Sequence, residues 1–317
     1  MRLRSSAALS IAAVSVLLLA GCGSSEDTPD AAEGTGDLCA AAVASGPSSD
    51  AVSVEGEVGT PSTATFETPL EPEALEVTVV EKGEGDPVEA GQFVSYAMTA
   101  YNASTGEELA TVGYEPGELL PSQMSADTIH GQVFGCSPIG TRVVATFPAN
   151  ENAPAEVYVL DLLDSVPTAA WGEEQEPVAG MPEVELAEDG APEITIPEGA
   201  TAPTETTLAT LKKGDGYEVQ TGDYALIQYK GVRWSNGETF DATWDGGQPI
   251  AYPTTNYVAG FQKALEGQTV GSQVLVVIPP AEGYGEGEIN ETDLKGETLV
   301  FVVDILGAQA APTVPTE

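Results

Sequence analysis

The chain has 317 residues, 10 Lys and Arg against 50 Asp and Glu, a formal net charge of −40, and 42% hydrophobic residues. So acidic a balance excludes a protein that tracks nucleic-acid phosphates and one that holds anionic lipid by charge alone, while the apolar share suffices for real cores. A single histidine, His130, removes most imidazole-based catalysis, and the three cysteines match neither a zinc nor a CxxC pattern, so neither metal nor cofactor is expected.

Arg2 and Arg4 precede a mostly apolar run from Ala7 to Ala20, too short to span a bilayer and ending in small residues; residues 1–21 read as a secretory signal. Leu19-Ala20-Gly21-Cys22 resembles a bacterial lipobox, which implies that Cys22 is acylated and becomes the mature N-terminus; an ordinary cleaved signal is the alternative. Residues 22–37 read as a polar tether that buries too little apolar surface to fold. Loss of Arg2 and Arg4 takes 10 basic residues to 8 against 50 acidic ones, a mature charge of −42, so acyl chains must hold the protein at the membrane against repulsion. The expected location is the extracytoplasmic face of the cell membrane. There disulfides persist, and Cys39 and Cys136 remain as a pair. A bridge between them closes a long loop and stabilises by roughly 4 kcal/mol in the chain-entropy account; two free thiols are the alternative.

Compared with itself, the chain repeats at a constant offset of 131. Gly59 and Pro61 recur as Gly190 and Pro192, Lys82-Gly83-x-Gly85 as Lys213-Gly214-x-Gly216, Gly91 as Gly222, Gly106-Glu107 as Gly237-Glu238, Gly140 as Gly271 and Pro148 as Pro279. Two copies with no shorter period argue for tandem domains rather than a solenoid. Near the end the offset becomes 143, Asp161-Leu162-Leu163 matching Asp304-Ile305-Leu306, so the second copy carries an insertion of 12 between Pro279 and Val300. The expected organisation is a first domain over 38–167, a linker over 168–182, a second domain over 183–307 and a loose tail over 308–317.

Within the second copy, Tyr224–Tyr229 alternates as a strand, Val274–Ile278 is a β-branched run stopped by Pro279-Pro280, and Leu299–Leu306 is the strongest strand. One short helix is predicted from Val258 to Glu266, with Val258, Phe261 and Leu265 on one face. Each unit is therefore an antiparallel sheet with a short helix packed on it, an α+β fold.

These residues carry a resemblance. Tyr229-x-Gly231, Asn236-Gly237-x-x-Phe240-Asp241, Val258-x-Gly260-Phe261-x-x-x-Leu265-x-Gly267-x-x-Val270-Gly271, Ile278-Pro279, Gly283-Tyr284-Gly285 and Leu299-Val300-Phe301 occur in the order and spacing of an FKBP-type peptidyl-prolyl cis-trans isomerase domain. The likeness is strong over about 205–307 and weak over about 75–165. With the lipobox, the whole chain resembles a tandem-domain exported FKBP-like lipoprotein of the high-GC Gram-positive kind. The resemblance implies a sheet curled around the helix, an apolar pocket between them, proline-containing exported polypeptides as substrates, no cofactor, a monomer, and macrolide inhibitors as candidate ligands.

By position, it assigns the pocket walls to Tyr229, Phe240, Ile250, Tyr257, Val258, Phe261 and Phe301, with Phe261 as the floor where the family more often has Trp. Asp241 would accept a hydrogen bond from Tyr229, and Tyr284 would donate to a substrate carbonyl. The usual Ile-Pro after this tyrosine is absent; Ile289 or Leu294 would supply the missing apolar contact. In the first copy, Met98, Leu109, Ala110 and Gln132 stand opposite Tyr229, Phe240, Asp241 and Phe261, and the Tyr284 loop is deleted. That copy is expected to keep the fold without activity. The rival reading of the whole chain is a non-catalytic peptide- or protein-binding lipoprotein.

Overall fold

The computed structural model describes residues 36–290 and 292–312. The signal, Cys22 and nearly all of the tether lie outside the described residues, as does the end of the tail. Among the described residues no helix is long and apolar enough to cross a membrane.

The first sheet contains β1 (Glu76–Glu81), β2 (Phe93–Asn102), β3 (Glu108–Val112), β4 (Arg142–Phe147) and β5 (Glu156–Val166), ordered β1-β4-β5-β2-β3, with Ser122–Gln123 also paired to β2. The second contains β6 (Thr207–Lys213), β7 (Tyr224–Arg233), β8 (Thr239–Ala242), β9 (Gln273–Ile278) and β10 (Leu299–Gln309), ordered β6-β9-β10-β7-β8, with Ile250–Pro253 also paired to β7. Within both sheets the pairing is antiparallel, and the few helices are short, an α+β arrangement. The strand order is the same in the two sheets. Glu76, Phe93, Glu108 and Arg142, which open β1 to β4, match Thr207, Tyr224, Thr239 and Gln273, which open β6 to β9, all at the offset of 131. Glu156 and Leu299, which open β5 and β10, match at 143. The insertion between these two offsets lies wholly in one connection: 148–155 joins β4 to β5, and the longer 279–298 joins β9 to β10.

β9 shows why the strands read as continuous apolar runs. It is buried at every position. Val274, Val276 and Ile278 face the helix Ala259–Leu265, packing with Phe261, Ala264 and Leu265. Leu275 and Val277 face the other way, beneath the hairpin Glu183–Leu186/Pro192–Thr195. The first sheet is covered in the same manner by the hairpin Ser53–Glu55/Thr63–Thr65 and the helix Ile129–Phe134. Thr128 caps that helix, accepting from the Gly131 amide at 3.2 Å.

Two of the repeated glycines have a steric reason. A Cβ on Gly83 would stand 2.1 Å from the Ile139 carbonyl oxygen, and one on Gly214 would stand 2.2 Å from that of Val270. Only glycine lets the chain pass so close.

The copies differ inside their sheets. In the first, Arg142 is fully buried: Nε donates to Asp161 Oδ1 and Nη2 to Oδ2 at 2.7 Å, Nη1 reaches the Gly56 carbonyl, and Nη2 also reaches those of Glu57 and Thr60. A buried guanidinium needs such complete pairing, and this one fastens the covering hairpin to the sheet. In the second, Gln273 and Asp304 occupy these places: Gln273 Nε2 donates to Asp304 Oδ1 at 2.8 Å, and burial raises the Asp304 carboxyl above its usual range. Cys39 and Cys136 are joined as a disulfide at a sequence separation of 97, tying the helix Leu38–Ala41 to the turn after Ile129–Phe134.

Two expected boundaries need correction. The stretch 168–182 is not a free linker. The Ala170 amide donates to Asp304 Oδ2 at 2.8 Å, Lys212 Nζ donates to the Ala170 carbonyl at 2.9 Å, Glu173–Glu174 pair with Lys212 and Lys213, and Met181 is buried. It is a strap on the second sheet, held by the buried acid of β10, by Lys212 and by the backbone of β6. The tail is not loose from 308 either: β10 continues through Gln309 opposite Tyr224, and the Ala310 amide reaches the Gly117 carbonyl at 2.8 Å.

Candidate functional site

The aromatic cluster on the second sheet is built by register. Phe301 on β10 stands directly opposite Gly231 on β7. A Cβ on Gly231 would lie 2.6 Å from the Phe301 ring and 2.8 Å from that of Phe240, so the missing side chain is what lets both rings meet here. Phe240 and Phe301 pack edge to face at 5.3 Å. The helix Ala259–Leu265 delivers Phe261, which is 3% exposed, edge-on to Phe301 at 5.0 Å and to Tyr229 at 5.8 Å. Tyr257, just before the helix, stacks on Phe261 at 4.7 Å and 25°.

These rings enclose a cavity of about 210 Å³, with Tyr229, Phe240, Asp241, Tyr257, Val258, Phe261, Tyr284 and Phe301 on its walls. Eight of the nine pocket and catalytic residues named from the sequence thus converge on one space. Ile250 is the exception. It pairs with Ile227 in the sheet and packs on the core without lining the cavity, so its assignment to the wall is corrected. Asn256 lines the cavity instead, delivered by a short turn, Thr254–Asn256. No apolar or aromatic signal marked it in the sequence.

The polar edge is small. Tyr229 donates its hydroxyl to Asp241 Oδ2 at 2.7 Å. Burial, then the bond to Asp241, pushes the Tyr229 phenol above its ordinary value, and burial does the same for Tyr257, so both are neutral donors near pH 7. The Tyr257 hydroxyl is buried and has no hydrogen-bond partner among the described residues. The sequence marked this residue only as an apolar wall.

Tyr284 is half exposed at the mouth. Its loop is anchored where Glu282 accepts from Thr206 Oγ1 at 3.1 Å and pairs with Lys263 of the helix. Of the two candidates for the missing apolar contact, Leu294 packs against the core and Ile289 faces solvent. Among the described residues no three His, Cys, Asp or Glu side chains converge where a metal could sit. What the arrangement offers is a dry aromatic floor, one tyrosine–carboxylate pair and two further phenols, without a nucleophile or base in reach of one another.

A family model for FKBP-type peptidyl-prolyl cis-trans isomerases matches residues 216–306. A probable FK506-binding protein of Corynebacterium glutamicum is 36% identical over 117 residues, covering 37% of this chain and 98% of that protein. An FK506-binding protein of Streptomyces anulatus is 32% identical over 118 residues, covering 36% of this chain and 94% of that one. A crystal structure of FkpA from Escherichia coli is similar at 22% identity and a TM-score of 0.31, over 41% of this chain and 53% of that one.

Proposed function

The chain belongs to the FKBP-type peptidyl-prolyl cis-trans isomerase family, and from that footing we propose that its second module isomerises X-Pro bonds of exported polypeptides in the cavity floored by Phe261. The observation that carries this reading is the Tyr229–Asp241 pair, bonded at 2.7 Å on the rim of an otherwise aromatic cavity.

The X-Pro bond turns slowly because its C–N bond has partial double-bond character, with a barrier of about 20 kcal/mol. At the transition state the amide is twisted and its nitrogen has lost conjugation. No proton leaves and no covalent intermediate forms, so a catalyst needs only to bind the twisted form better than the planar one. Each ~1.4 kcal/mol of that preference is a factor of ten in rate. Entering a dry aromatic cavity costs the planar, more dipolar amide more than the twisted one. In this reading Phe261 and Phe301 hold the proline ring, and Tyr229, oriented by Asp241, presents its ring edge to the substrate carbonyl. Tyr284 donates to a neighbouring backbone carbonyl. The family uses no cofactor.

The first module is read as a tandem FKBP-like domain that does not catalyse: Met98 and Ala110 replace the tyrosine and the acid, and the Tyr284 loop has no counterpart. The signal and Cys22 place the chain, in this proposal, on the outer face of the cell membrane through a lipid anchor, as a monomer, with macrolides of the FK506 kind as candidate inhibitors. A full-length chain carrying Asp241→Ala, Phe261→Leu and Tyr284→Phe together tests the division of labour. Its prolyl-peptide turnover is expected at the uncatalysed rate, and turnover close to wild type would refute it.

A further inference from the structure

The first module holds a cavity of its own, about 320 Å³, at the place on the fold where the second has its aromatic one. The correspondence is positional. Met98 and Tyr158 line it, and at offsets of 131 and 143 they match Tyr229 and Phe301, which line the other. The walls are different. Met98, Ile129, Val133 and Leu160 give it an aliphatic side, His130, Phe147 and Tyr158 add three rings, and Ile129 is 44% exposed on its rim.

A tyrosine–carboxylate pair is present again, from other residues. Tyr158 donates to Glu156 Oε2 at 2.6 Å; the two lie two apart on β5, so both side chains point to one face. Burial first, then Glu156, pushes the Tyr158 phenol up to about 12, so it remains the donor. The short connection 148–155 leaves this side without a loop like the one that carries Tyr284.

Charge decides what fits. Residues 38–167 contain 2 basic side chains, Lys82 and Arg142, against 20 acidic ones, a balance of −18. Arg142 is buried on Asp161, so it is not available to balance Glu156. A cavity at the lower end of small-ligand volumes, roughly 300–1,000 Å³, suits one large side chain better than a whole cofactor. We propose that the first module is a second peptide-binding site, independent of proline, taking an extended segment that seats a large aliphatic side chain in this cavity and lays a lysine or arginine two residues away, on the same face, against Glu156. The site does not depend on whether the second module is active.

The test uses the full chain and three fluorescent, proline-free peptides, the Leu-Lys peptide Gly-Leu-Ala-Lys-Ala-Gly, with both side chains on one face when extended, and its Leu-Glu and Asp-Lys counterparts, followed by anisotropy at ~0.15 M salt, where long-range attraction is screened. The Leu-Lys peptide is expected to bind and the other two to bind at least about tenfold more weakly, the scale of one lost charge-assisted bond or one lost apolar anchor. Glu156→Gln and Ile129→Asp are expected to weaken the Leu-Lys peptide similarly while prolyl turnover stays at the wild-type rate. The peptide comparison on unaltered protein stands even if a variant folds poorly. No binding of the Leu-Lys peptide, equal binding of the Asp-Lys peptide, equal binding by folded variants, or displacement by a prolyl substrate would each overturn the proposal.

Discussion

Tyr229 and Asp241 are bonded at 2.7 Å between neighbouring strands, whereas the residues at their places in the first module, Met98 and Ala110, cannot form that bond. Asp241 is exposed, so losing its carboxylate costs little stability. Asp241→Ala is therefore expected to lower prolyl turnover by about tenfold, one charge-assisted bond's scale, with an unchanged melting temperature. Tyr284→Phe, at a half-exposed position, is expected to act in the same direction. Steady-state turnover alongside thermal melts checks both.

Phe261 serves packing and site together. It lies in the buried cluster with Ile278, Leu299 and Phe301 as well as on the cavity floor. Phe261→Ala is expected to cost about 3–5 kcal/mol, a large share of a typical domain's stability, so lost turnover there would be ambiguous. Phe261→Leu keeps most of the volume and removes the ring. It is expected to retain a cooperative melt and lose most turnover; turnover near wild type would deny the floor a role.

The unpartnered phenol of Tyr257 separates structure from function in the opposite sense. A buried hydroxyl without a partner costs about 1–3 kcal/mol, so Tyr257→Phe is expected to stabilise the protein by about that much in denaturant titration. A fall in stability would mean that the hydroxyl is bonded in solution.

His130 gives the first module a pH response. Its ring lies 4.4 Å from that of Tyr96, its Nδ1 is 2.9 Å from Ser122 Oγ, and burial holds it below its ordinary value of 6.5. Above 6.5 the ring is neutral in both folded and unfolded chains. As pH falls below that value the unfolded chain takes up the proton first, so the contribution to stability is lost toward the lower folded value. The melting temperature of wild type is expected to drop relative to His130→Gln between about pH 7.5 and about pH 5.5. A constant difference would rule this out.

What the sequence made legible follows from what each residue must satisfy locally. Val258, Phe261 and Leu265 repeat on one helix face, and β9 and β10 are apolar with little break because both faces are covered. The strap over 168–182 was not legible, since its order comes from distant partners: Asp304 and Lys212 hold Ala170, and nothing periodic in Trp171-Gly172-Glu173-Glu174 announces an edge strand. Ile250 packs on the same cluster as Phe261 and Phe301 but does not reach the cavity, a distance along the sheet that the alternation of a strand does not reveal. The first-module cavity was hidden for a related reason. Position by position, Met98 marks a lost tyrosine, while the Glu156–Tyr158 pair restores similar chemistry from β5.

If the second module prefers an X-Pro bond caught in mid-turn, it must speed both directions of the isomer exchange alike. Exchange of a prolyl peptide between its isomers, followed by magnetisation transfer at equilibrium with catalytic amounts of the full-length chain, measures this without a coupling protease. Exchange is expected well above the buffer rate, falling back to that rate when Asp241→Ala and Phe261→Leu are combined. Exchange in the presence of the folded wild-type protein no faster than in buffer would be incompatible with that preference.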